Sequence, residues 1–558
     1  MIRSRRLLRR LLALPGAAAL TLAACSSSDG GTTAPDASAT IATMATAGGS
    51  GTEATPVTAA TAATAVSSSG SAELAAVART VLAENHAYHD PAEDLSWDET
   101  DESTITLQGS SATTDADGVR IDGTTVTITS AGTYRISGTL TDGQVVVAVE
   151  GDGVVRLVLD GVDLTSSTTA ALAVEGAERV VVVLAEGTTN VLTDGATRAA
   201  AGGEDEAGAA LTSRADLLIA GTGTLEVHGR YADGISGADD VVISGATVLA
   251  DALDDAIRGK DALVLIDAAV TVRAGGDGLK ADDLEDQTRG YVAVLGGTVS
   301  VTAAADGVDA ATDLVLAGTD LSISAGDDGL HAEAVLAVAD GTVDITDSYE
   351  GIEAAAITIA AGSLTVRSTD DGINAVGTGA TLAIDGGTVR VDAGGDGVDV
   401  NGSITMTGGT LLVQGPTAQM NAAIDYDGSF DISGGLVVAT GSSGMAMAPS
   451  SSSAQRSLLA TFATQAAGTV VHVVAADGTP IVTFAPSKAY QALTVSSPDL
   501  ADGVTYQVVT GGTASGEADF GLFASDAHGG GTVLATTTTA DAVSRTGGPG
   551  ARGAFPAG

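Results

Sequence analysis

The sequence predicts an all-β protein, a parallel β-helix whose coils are about 22 residues long, with β caps at its N- and C-terminal ends. The first observation behind this prediction is a short phrase, an acid followed by a small residue and an aliphatic residue, that recurs along the middle of the chain. The phrase begins at Asp233, Asp255, Asp277, Asp306, Asp328, Glu350, Asp371 and Asp396. Successive acids lie 22, 22, 29, 22, 22, 21 and 25 residues apart. A fixed period of this size indicates a repeat architecture.

The second observation is the pattern inside each repeat. Segments such as Gly297–Val301 and Gly387–Val391 alternate apolar and polar residues, which is typical of strands. The repeats contain no apolar face of helical length. About 22 residues accommodate three short strands and three bends, the single turn of a β-solenoid in which each coil packs on its neighbours. The interval of 29 residues contains an insertion, Asp282–Asp286.

The composition supports a thin core and excludes one class of partner. Only 3% of the 558 residues are aromatic, while 74 are glycine, and a solenoid needs fewer large side chains than a compact globule. The formal net charge is −46. A surface this acidic repels nucleic acid, which is therefore excluded as a partner. The single cysteine, Cys25, allows no internal disulfide.

The N-terminal residues predict export and anchoring. Residues 1–25 combine an arginine-rich start with the apolar segment Leu11–Leu22 and end in Leu22–Cys25, which resembles the lipobox of bacterial lipoproteins. We therefore expect lipidation at Cys25 and a location on the extracellular face of the bacterial membrane, with the lipid as the only membrane contact. Residues 26–95 are rich in Ser, Thr and Ala and predict a linker with a short helix at Glu73–Glu84.

The remaining chain divides into three further parts. Residues 96–450 are assigned to the β-helix, including early and less regular coils that begin with an N-terminal cap. Residues 451–525 carry several alternating segments and predict a C-terminal β cap. Residues 526–558 are rich in Gly, Thr and Ala and predict a flexible tail.

Stacking of the coils places equivalent residues in columns about 4.8 Å apart. Two carboxylates at that distance repel by roughly 3–4 kcal/mol at an effective dielectric constant of about 20. A second column, three residues after the acids, is also mostly anionic or oxygen-bearing from Asp309 onward. It contains Ser236, Arg258, Lys280, Asp309, His331, Glu353, Asn374 and Asp399. A divalent cation between coils would relieve the repulsion, and clustered carboxylates are the ligands that Ca²⁺ prefers. Asp-Gly pairs also form turns without any ion, and the two roles are compatible.

Several phrases resemble those of a family of bacterial extracellular carbohydrate-binding domains. The resemblance covers residues 95–510. It is carried by Asp160–Leu164, Gly187–Gly195, Asp255–Asp261, Gly276–Ala281, Gly415–Thr417, Asp425–Phe430 and Gly441–Ala446. Members of this family are right-handed parallel β-helices that carry calcium and bind cellulosic or pectic polysaccharides.

The resemblance implies a polysaccharide-binding protein with calcium on the corner acids. The predicted metal ligands are Asp306, Asp309, Asp327, Asp328, Glu350, Glu353, Asp370, Asp371, Asp396 and Asp399. The predicted glycan contacts are Arg258, Lys280 and Tyr291. Because stacked surface aromatics are nearly absent, calcium-bridged binding of uronates is favoured over binding of cellulose. We expect a monomer without catalytic activity.

Two alternatives stay open at this stage. The first is a pectate-lyase-like enzyme, in which calcium acidifies the proton next to a uronate carboxylate and Lys280 or Arg258 removes it. Either basic residue could instead pair with neighbouring carboxylates. The second alternative is a structural or adhesive surface protein that shares only the fold with glycan-binding relatives.

Overall fold

The computed structural model describes residues 70–547, apart from 152, 198–207 and 524–528. The predicted signal segment 1–25, Cys25 and most of the predicted linker lie outside the described residues. The described chain begins with helix α1, Gly70–Glu84, followed by two short 3₁₀ turns at Pro91–Glu93 and Glu99–Asp101. Among the described residues, no helix has both the length and the apolarity needed to cross a bilayer.

The first ten strands form the N-terminal coils. They are β1 Glu102–Gly109, β2 Ala112–Thr114, β3 Val119–Asp122, β4 Thr125–Ile128, β5 Gly132–Leu140, β6 Gln144–Ala148, β7 Val154–Thr165, β8 Leu172–Gly176, β9 Arg179–Leu184 and β10 Thr189–Thr193. Two antiparallel pairs, β1 with β2 and β3 with β4, lie at this end of the solenoid. These pairs are the predicted N-terminal β cap.

The following strands form the regular coils. They are β11 Ala209–Ser213, β12 Asp216–Gly221, β13 Thr224–Gly229, β14 Asp233–Gly237, β15 Asp240–Ser244, β16 Thr247–Ala252, β17 Ile257–Gly259, β18 Ala262–Ile266, β19 Ala269–Ala274, β20 Leu279–Ala281, β21 Tyr291–Leu295, β22 Thr298–Ala303, β23 Val308–Ala310, β24 Leu314–Ala317, β25 Thr319–Ser324, β26 Leu330–Ala332, β27 Val335–Val338, β28 Gly341–Asp347, β29 Ile352–Ala354, β30 Ala356–Ile359, β31 Ser363–Ser368, β32 Ile373–Ile384, β33 Thr388–Ala393, β34 Val398–Met406, β35 Thr410–Gln414, β36 Asp425–Tyr426, β37 Phe430–Ile432 and β38 Leu436–Gly441.

These coils stack as three parallel sheets, which confirms the predicted β-helix. Each strand pairs with the equivalent strand of the next coil, as β17 pairs with β20, β18 with β21 and β19 with β22. We call the sheet that contains β14, β17 and β20 sheet 1, the one that contains β15, β18 and β21 sheet 2, and the one that contains β16, β19 and β22 sheet 3. The recurring acids lie at the corner between sheet 3 and sheet 1.

The interior is a continuous column of aliphatic side chains from Ile105 to Ala439. Each coil contributes the inward residues of its three strands, such as Ile257, Leu263 and Val270, all at most 1% exposed. Burial of Val, Ile and Leu from stacked coils therefore holds the solenoid together, at roughly 25 cal/mol per Å² of apolar surface removed from water.

The N-terminal helix covers the outer face of sheet 2. Ala78 of α1 is buried against this face together with Val181, Leu218 and Val264. The chain then continues along the same sheet, where Asp94 accepts hydrogen bonds or ion pairs from Arg156 and Arg179. The part of the predicted linker after residue 69 is thus a packed segment of the fold.

The C-terminal strands close the other end of the solenoid. They are β39 Ser457–Gln465, β40 Val471–Ala475, β41 Pro480–Phe484, β42 Tyr490–Ser496, β43 Thr505–Thr510, β44 Ala518–Asp519, β45 Leu522–Phe523, β46 Thr532–Thr538 and β47 Val543–Gly547. Strand β42 pairs antiparallel with β38 of the last coil, which continues sheet 3 into the cap. The predicted flexible tail is wrong between residues 529 and 547, because β46 pairs with β43 and β47 with β39. Its Thr and Val residues favour strand structure.

Candidate functional site

The recurring acids form a hydrogen-bonded ladder along the corner between sheets 3 and 1. The carboxylate of one coil accepts a hydrogen bond from the backbone N–H at the equivalent position of the next coil. The distances are 2.8 Å from Asp277 N to Asp255, 2.9 Å from Asp306 N to Asp277, and 2.8 Å from Asp328 N to Asp306. The ladder resumes with 2.6 Å from Asp396 N to Asp371, and Ala422 N donates to Asp396. The carboxylates therefore accept hydrogen bonds from the backbone N–H groups of the corner, and they also lie close to one another.

The second column stands on the outer face of sheet 1, beside this ladder. Strand pairing places Lys280, Asp309, His331, Glu353, Asn374 and Asp399 in register, each one coil after the last. Pairing of Asp399 with Asp425 extends the column by one residue. Sequence reasoning missed Asp425 because Ala422 replaces the corner acid in that coil, so the recurring phrase is absent there.

Lys280 supplies the positive charge for the N-terminal part of the ladder. Its ammonium group pairs with Asp277, lies 3.4 Å from Asp255 and lies 3.7 Å from Asp309. Burial disfavours the charged amine, but the three carboxylates outweigh it and raise the pKa of Lys280 above its usual range. Arg258 is similarly engaged, with its guanidinium 2.9 Å from Asp282.

The next acids of the column are neutralised by a histidine. His331 Nδ1 lies 2.7 Å from Asp309, and its Nε2 lies 3.9 Å from Glu353. Against the effect of burial, the hydrogen bond and charge of Asp309 raise the pKa of His331 to about 9. Burial also disfavours ionisation of Asp309, yet His331 and Lys280 hold its pKa below the usual range. Asp306, Asp309 and His331 have ligand atoms within 4.8 Å of one another, but two protein cations already serve this group.

Glu350 and Glu353 lie one coil further on and share a hydrogen-bonding amide. Asn374 Nδ2 donates to Glu350 at 2.8 Å and to Glu353 at 3.4 Å. Burial and the neighbouring Glu353 raise the pKa of Glu350. Protonation of Glu350 relieves its repulsion with Glu353, so these two residues have less need of a metal ion.

A cluster of carboxylates that forms no ion pair with any described basic side chain lies at the C-terminal end of the ladder. Asp371, Asp396 and Asp399 have ligand oxygens within 4.8 Å of one another, and we call these three the carboxylate cluster. Burial and the neighbouring carboxylates, among them Asp425, raise the pKa of each of the three to about 6. Within the described ranges, none of the three takes part in an ion pair. At neutral pH the cluster therefore concentrates negative charge that no basic side chain among the described residues offsets by an ion pair.

Glycine provides the space for this cluster. A Cβ atom on Gly395 would lie closer than van der Waals contact to Oδ1 of both Asp370 and Asp371. Gly276 has the same relation to Asp254 and Asp255 in the Lys280 region. The two regions thus share one construction, a pair of acids packed over the glycine of the next coil. In the Lys280 region a lysine ammonium lies between the carboxylates. In the carboxylate cluster Asp399 replaces this lysine.

The Lys280 region indicates that a metal ion fits the carboxylate cluster. The Lys280 ammonium is a stand-in cation, and it shows that the corner accepts positive charge between Asp255, Asp277 and the following column residue. The carboxylate cluster offers the same arrangement with one more acid and no ammonium. Hard oxygens at this density suit Ca²⁺, which takes six to eight oxygen ligands. Three or four protein carboxylates leave further positions for water, backbone carbonyls or an acidic ligand.

The predicted site residues therefore divide into groups. Of the ten predicted metal ligands, Asp371, Asp396 and Asp399 form the carboxylate cluster, and Asp370 adjoins it. Asp306 and Asp309 lie with His331, and Glu350 and Glu353 share Asn374. Asp327 and Asp328 flank the same corner, where burial and nearby carboxylates raise the pKa of Asp328 to about 8.

The prediction that Tyr291 contacts a glycan is wrong. It is 0% exposed on the outer side of sheet 2, beneath the N-terminal segment. Its hydroxyl donates a 2.9 Å hydrogen bond to the carbonyl of His86. The ring thus fixes the N-terminal segment to the solenoid. The burial was not predicted because residues 26–95, which include His86, were assigned to a linker.

Sequence comparisons with known proteins agree with the resemblance. A sequence model of the family described as carbohydrate-binding domain-containing protein matches residues 122–380. A carbohydrate-binding domain-containing protein of Acetivibrio thermocellus is 32% identical over 191 residues, which are 34% of this chain and 67% of that protein. A solved structure of the polysaccharide lyase-like protein from C. thermocellum is 29% identical, and the match covers 44% of this chain and 97% of that one with a TM-score of 0.41. The identity and coverage of the A. thermocellus relative show that this chain belongs to the carbohydrate-binding domain family.

Proposed function

We propose that the protein binds acidic polysaccharides through a calcium ion held by the carboxylate cluster. The single observation that carries this proposal is the grouping of Asp371, Asp396 and Asp399 without a protein cation, at the corner where Lys280 fills the equivalent place five coils earlier. The bound ion supplies Lewis-acid attraction for a carboxylate of the ligand. The three aspartates hold the ion, and the remaining coordination positions accept a uronate.

Calcium also explains how so acidic a protein binds an acidic glycan. With 70 acidic and 24 basic residues, the surface alone repels a polyuronate. A divalent ion between two carboxylate groups converts that repulsion into attraction. Neutral cellulosic chains gain nothing from this arrangement, so the proposal favours pectic glycans over cellulosic ones.

The proposed setting is the outer surface of a bacterial cell. Lipidation at Cys25 would anchor the chain, and residues after it would hold the β-helix away from the membrane. Helix α1 and the segment after it lie on sheet 2. The acid ladder occupies the one corner that sheet 2 does not form, so helix α1 leaves the proposed binding corner uncovered.

The lyase alternative is less well supported. A base must be available in its neutral form, and three carboxylates stabilise the charged form of Lys280. Arg258 is held by Asp282. Incubation of the purified protein with polygalacturonate and calcium, followed by ultraviolet absorbance of unsaturated uronate, tests this alternative. We expect no increase in absorbance.

Retention on insoluble polygalacturonate tests the proposed function. We expect retention with calcium, loss of retention with a chelator, and loss in Asp399→Asn, which removes one charge without removing a ladder hydrogen bond. Asp320→Asn is the matched control, because Asp320 is an exposed aspartate on sheet 3, away from the corner. Retention of the wild type in chelator, or equal retention of the two variants, contradicts the proposal.

A further inference from the structure

An exposed tyrosine lies one coil before the carboxylate cluster. Tyr349 immediately precedes Glu350 at the corner, so it belongs to the column of residues that come just before the acids. Its backbone N–H donates to the carbonyl of Asp327 at 2.8 Å, and its carbonyl accepts from Asp370 N at 2.8 Å. These two hydrogen bonds fix its position between Asp327 and Asp370 along the corner.

Tyr349 is far more exposed than four of the other tyrosines of this protein. It is 46% exposed, whereas the tyrosines at positions 134, 291, 490 and 506 are at most 4% exposed. Exposure of an aromatic ring to water is unfavourable, and a turn position does not require a large side chain. The adjacent coils hold Asp327 and Asp370 at the equivalent position, and the coils beyond them hold Ala305 and Gly395. The corner therefore tolerates a small residue where Tyr349 stands.

The neighbourhood of Tyr349 is suited to a sugar. Asp370, the next residue of its column, adjoins Asp371 of the carboxylate cluster over Gly395. One coil spacing of about 4.8 Å separates Tyr349 from that pair. A sugar ring has an apolar face of C–H groups and polar edges, which matches an aromatic ring with a polar hydroxyl beside a charged site.

We propose that Tyr349 is a glycan-contact residue, on which one sugar ring of a polyuronate stacks while the carboxylate of an adjacent sugar reaches the ion on the carboxylate cluster. This inference rests on the proposed function, because the glycan is held at two points, Tyr349 and the ion on the carboxylate cluster. The glycan then lies along the solenoid axis at this corner. Tyr349 adds affinity and selects a pyranose ring over a simple carboxylate.

The chain contains a matched control for this residue. Tyr231 is also 46% exposed and lies at the same corner, two residues before Asp233. Six coil spacings, about 29 Å, separate its coil from that of Asp371. A short oligogalacturonide that occupies the carboxylate cluster reaches Tyr349 but does not reach Tyr231.

The test is a calorimetric titration of short oligogalacturonides into the full protein in calcium. We expect Tyr349→Ala to weaken binding by roughly fivefold to tenfold, as for other aromatic contacts. Tyr231→Ala and Tyr349→Phe should leave the affinity unchanged, and all three variants should keep the wild-type affinity for calcium alone. Addition of the oligosaccharide should also perturb the tyrosine absorption of the wild type, and this signal should be lost in Tyr349→Phe.

Different outcomes separate the two proposals. If the wild type binds oligogalacturonide in a calcium-dependent way and Tyr349→Ala binds equally well, the role of Tyr349 is wrong and the proposed function stands. Equal losses in Tyr349→Ala and Tyr231→Ala also contradict the role of Tyr349. If the wild type binds calcium but no oligogalacturonide, the proposed function fails, and the inference about Tyr349 fails with it.

Discussion

Lys280 and Asp399 occupy the same column of sheet 1, linked through five successive strand pairings. Each follows a corner aspartate by three residues, and each stands beside a glycine over which two acids pack. Lys280 contributes a positive charge at this place and Asp399 a negative one. The same structural position thus gives one region that a lysine neutralises and another region, Asp371, Asp396 and Asp399, where we propose that a bound cation does so.

Replacement of Lys280 should transfer a cation requirement to the N-terminal region. In Lys280→Gln, the carboxylates of Asp255, Asp277 and Asp309 lose their shared ammonium partner. Removal of one partner of a buried pair costs roughly 3–5 kcal/mol, and less is expected here because Lys280 is 22% exposed. We expect a lower melting temperature in chelator and a larger rise on addition of calcium than in the wild type. Lys280→Arg, which keeps the charge, is the control. Identical calcium responses in Lys280→Gln and Lys280→Arg would contradict the role of the Lys280 ammonium as a substitute for a bound cation.

Calcium binding should require glycine at position 395, because a larger residue would occupy the space of the neighbouring carboxylates. The backbone conformation at this position does not itself require glycine. In Gly395→Ala, the added methyl group displaces the carboxylates of Asp370 and Asp371. We expect calcium affinity to fall at least tenfold. Gly276→Ala inserts the same methyl group between Asp254 and Asp255 and should leave calcium affinity unchanged. A calorimetric titration of both variants provides the measurement, and undiminished affinity in Gly395→Ala would count against the assigned cluster.

The ladder should stabilise the solenoid independently of any ion. Asp306 accepts the backbone N–H of Asp328, whose side chain is only 2% exposed. Asp306→Ala leaves that donor without its acceptor and should lower the free energy of unfolding by about 1–3 kcal/mol. Asp306→Asn keeps a carbonyl acceptor and removes a charge, so it should be at least as stable as the wild type. Urea denaturation in chelator checks both expectations, and similar losses in the two variants would show that the charge, not the hydrogen bond, is what matters.

In the absence of divalent cations, stability should increase as the pH falls from about 8 to 5. Burial and neighbouring carboxylates raise the pKa of Asp371, Asp396 and Asp399 to about 6. A carboxyl group whose pKa is higher in the folded state binds protons preferentially there, so stability falls as the pH rises from the unfolded-state pKa of about 4 to the folded-state value of about 6. His331, with its pKa raised to about 9, acts in the same direction, because it stays protonated in the folded protein above the pKa of about 6.5 expected when unfolded.

Melting curves across this pH range, with and without calcium, test the expected dependence. Calcium should stabilise the protein most at pH 8, where the cluster is ionised, and least at pH 5. In Asp399→Asn the pH dependence in chelator should be shallower. A melting temperature that rises with pH in chelator would contradict the assigned charge repulsion.

The sequence predicted the fold well because the period and the alternation report directly on coil stacking. The spacing of the acids placed them at one corner, and the column from Asp309 to Asp399 followed from the same register. The hydrogen bonds of the ladder could not be predicted, because each joins a side chain to the backbone of the next coil. The separation of neutralised from uncompensated acids depends on the reach of Lys280 and His331 toward neighbours in other coils, which sequence spacing does not give.

Other differences have equally local causes. Tyr291 sits in a strand with a normal apolar pattern, and its burial depends on the segment at His86 that covers it. Asp425 was missed because Ala422 interrupts the acid phrase. The strands at Thr532–Thr538 and Val543–Gly547 lie in a Gly-rich region, and they are held by pairing with distant strands of the cap.

Calorimetric titration of calcium into chelator-treated protein at pH 7.5 tests the central claim most directly. We expect the wild type and Asp320→Asn to bind calcium with the same affinity, and Asp399→Asn to lose that binding. Calcium binding that is unchanged in Asp399→Asn, or absent from the wild type, would contradict the assignment of the carboxylate cluster as the cation site.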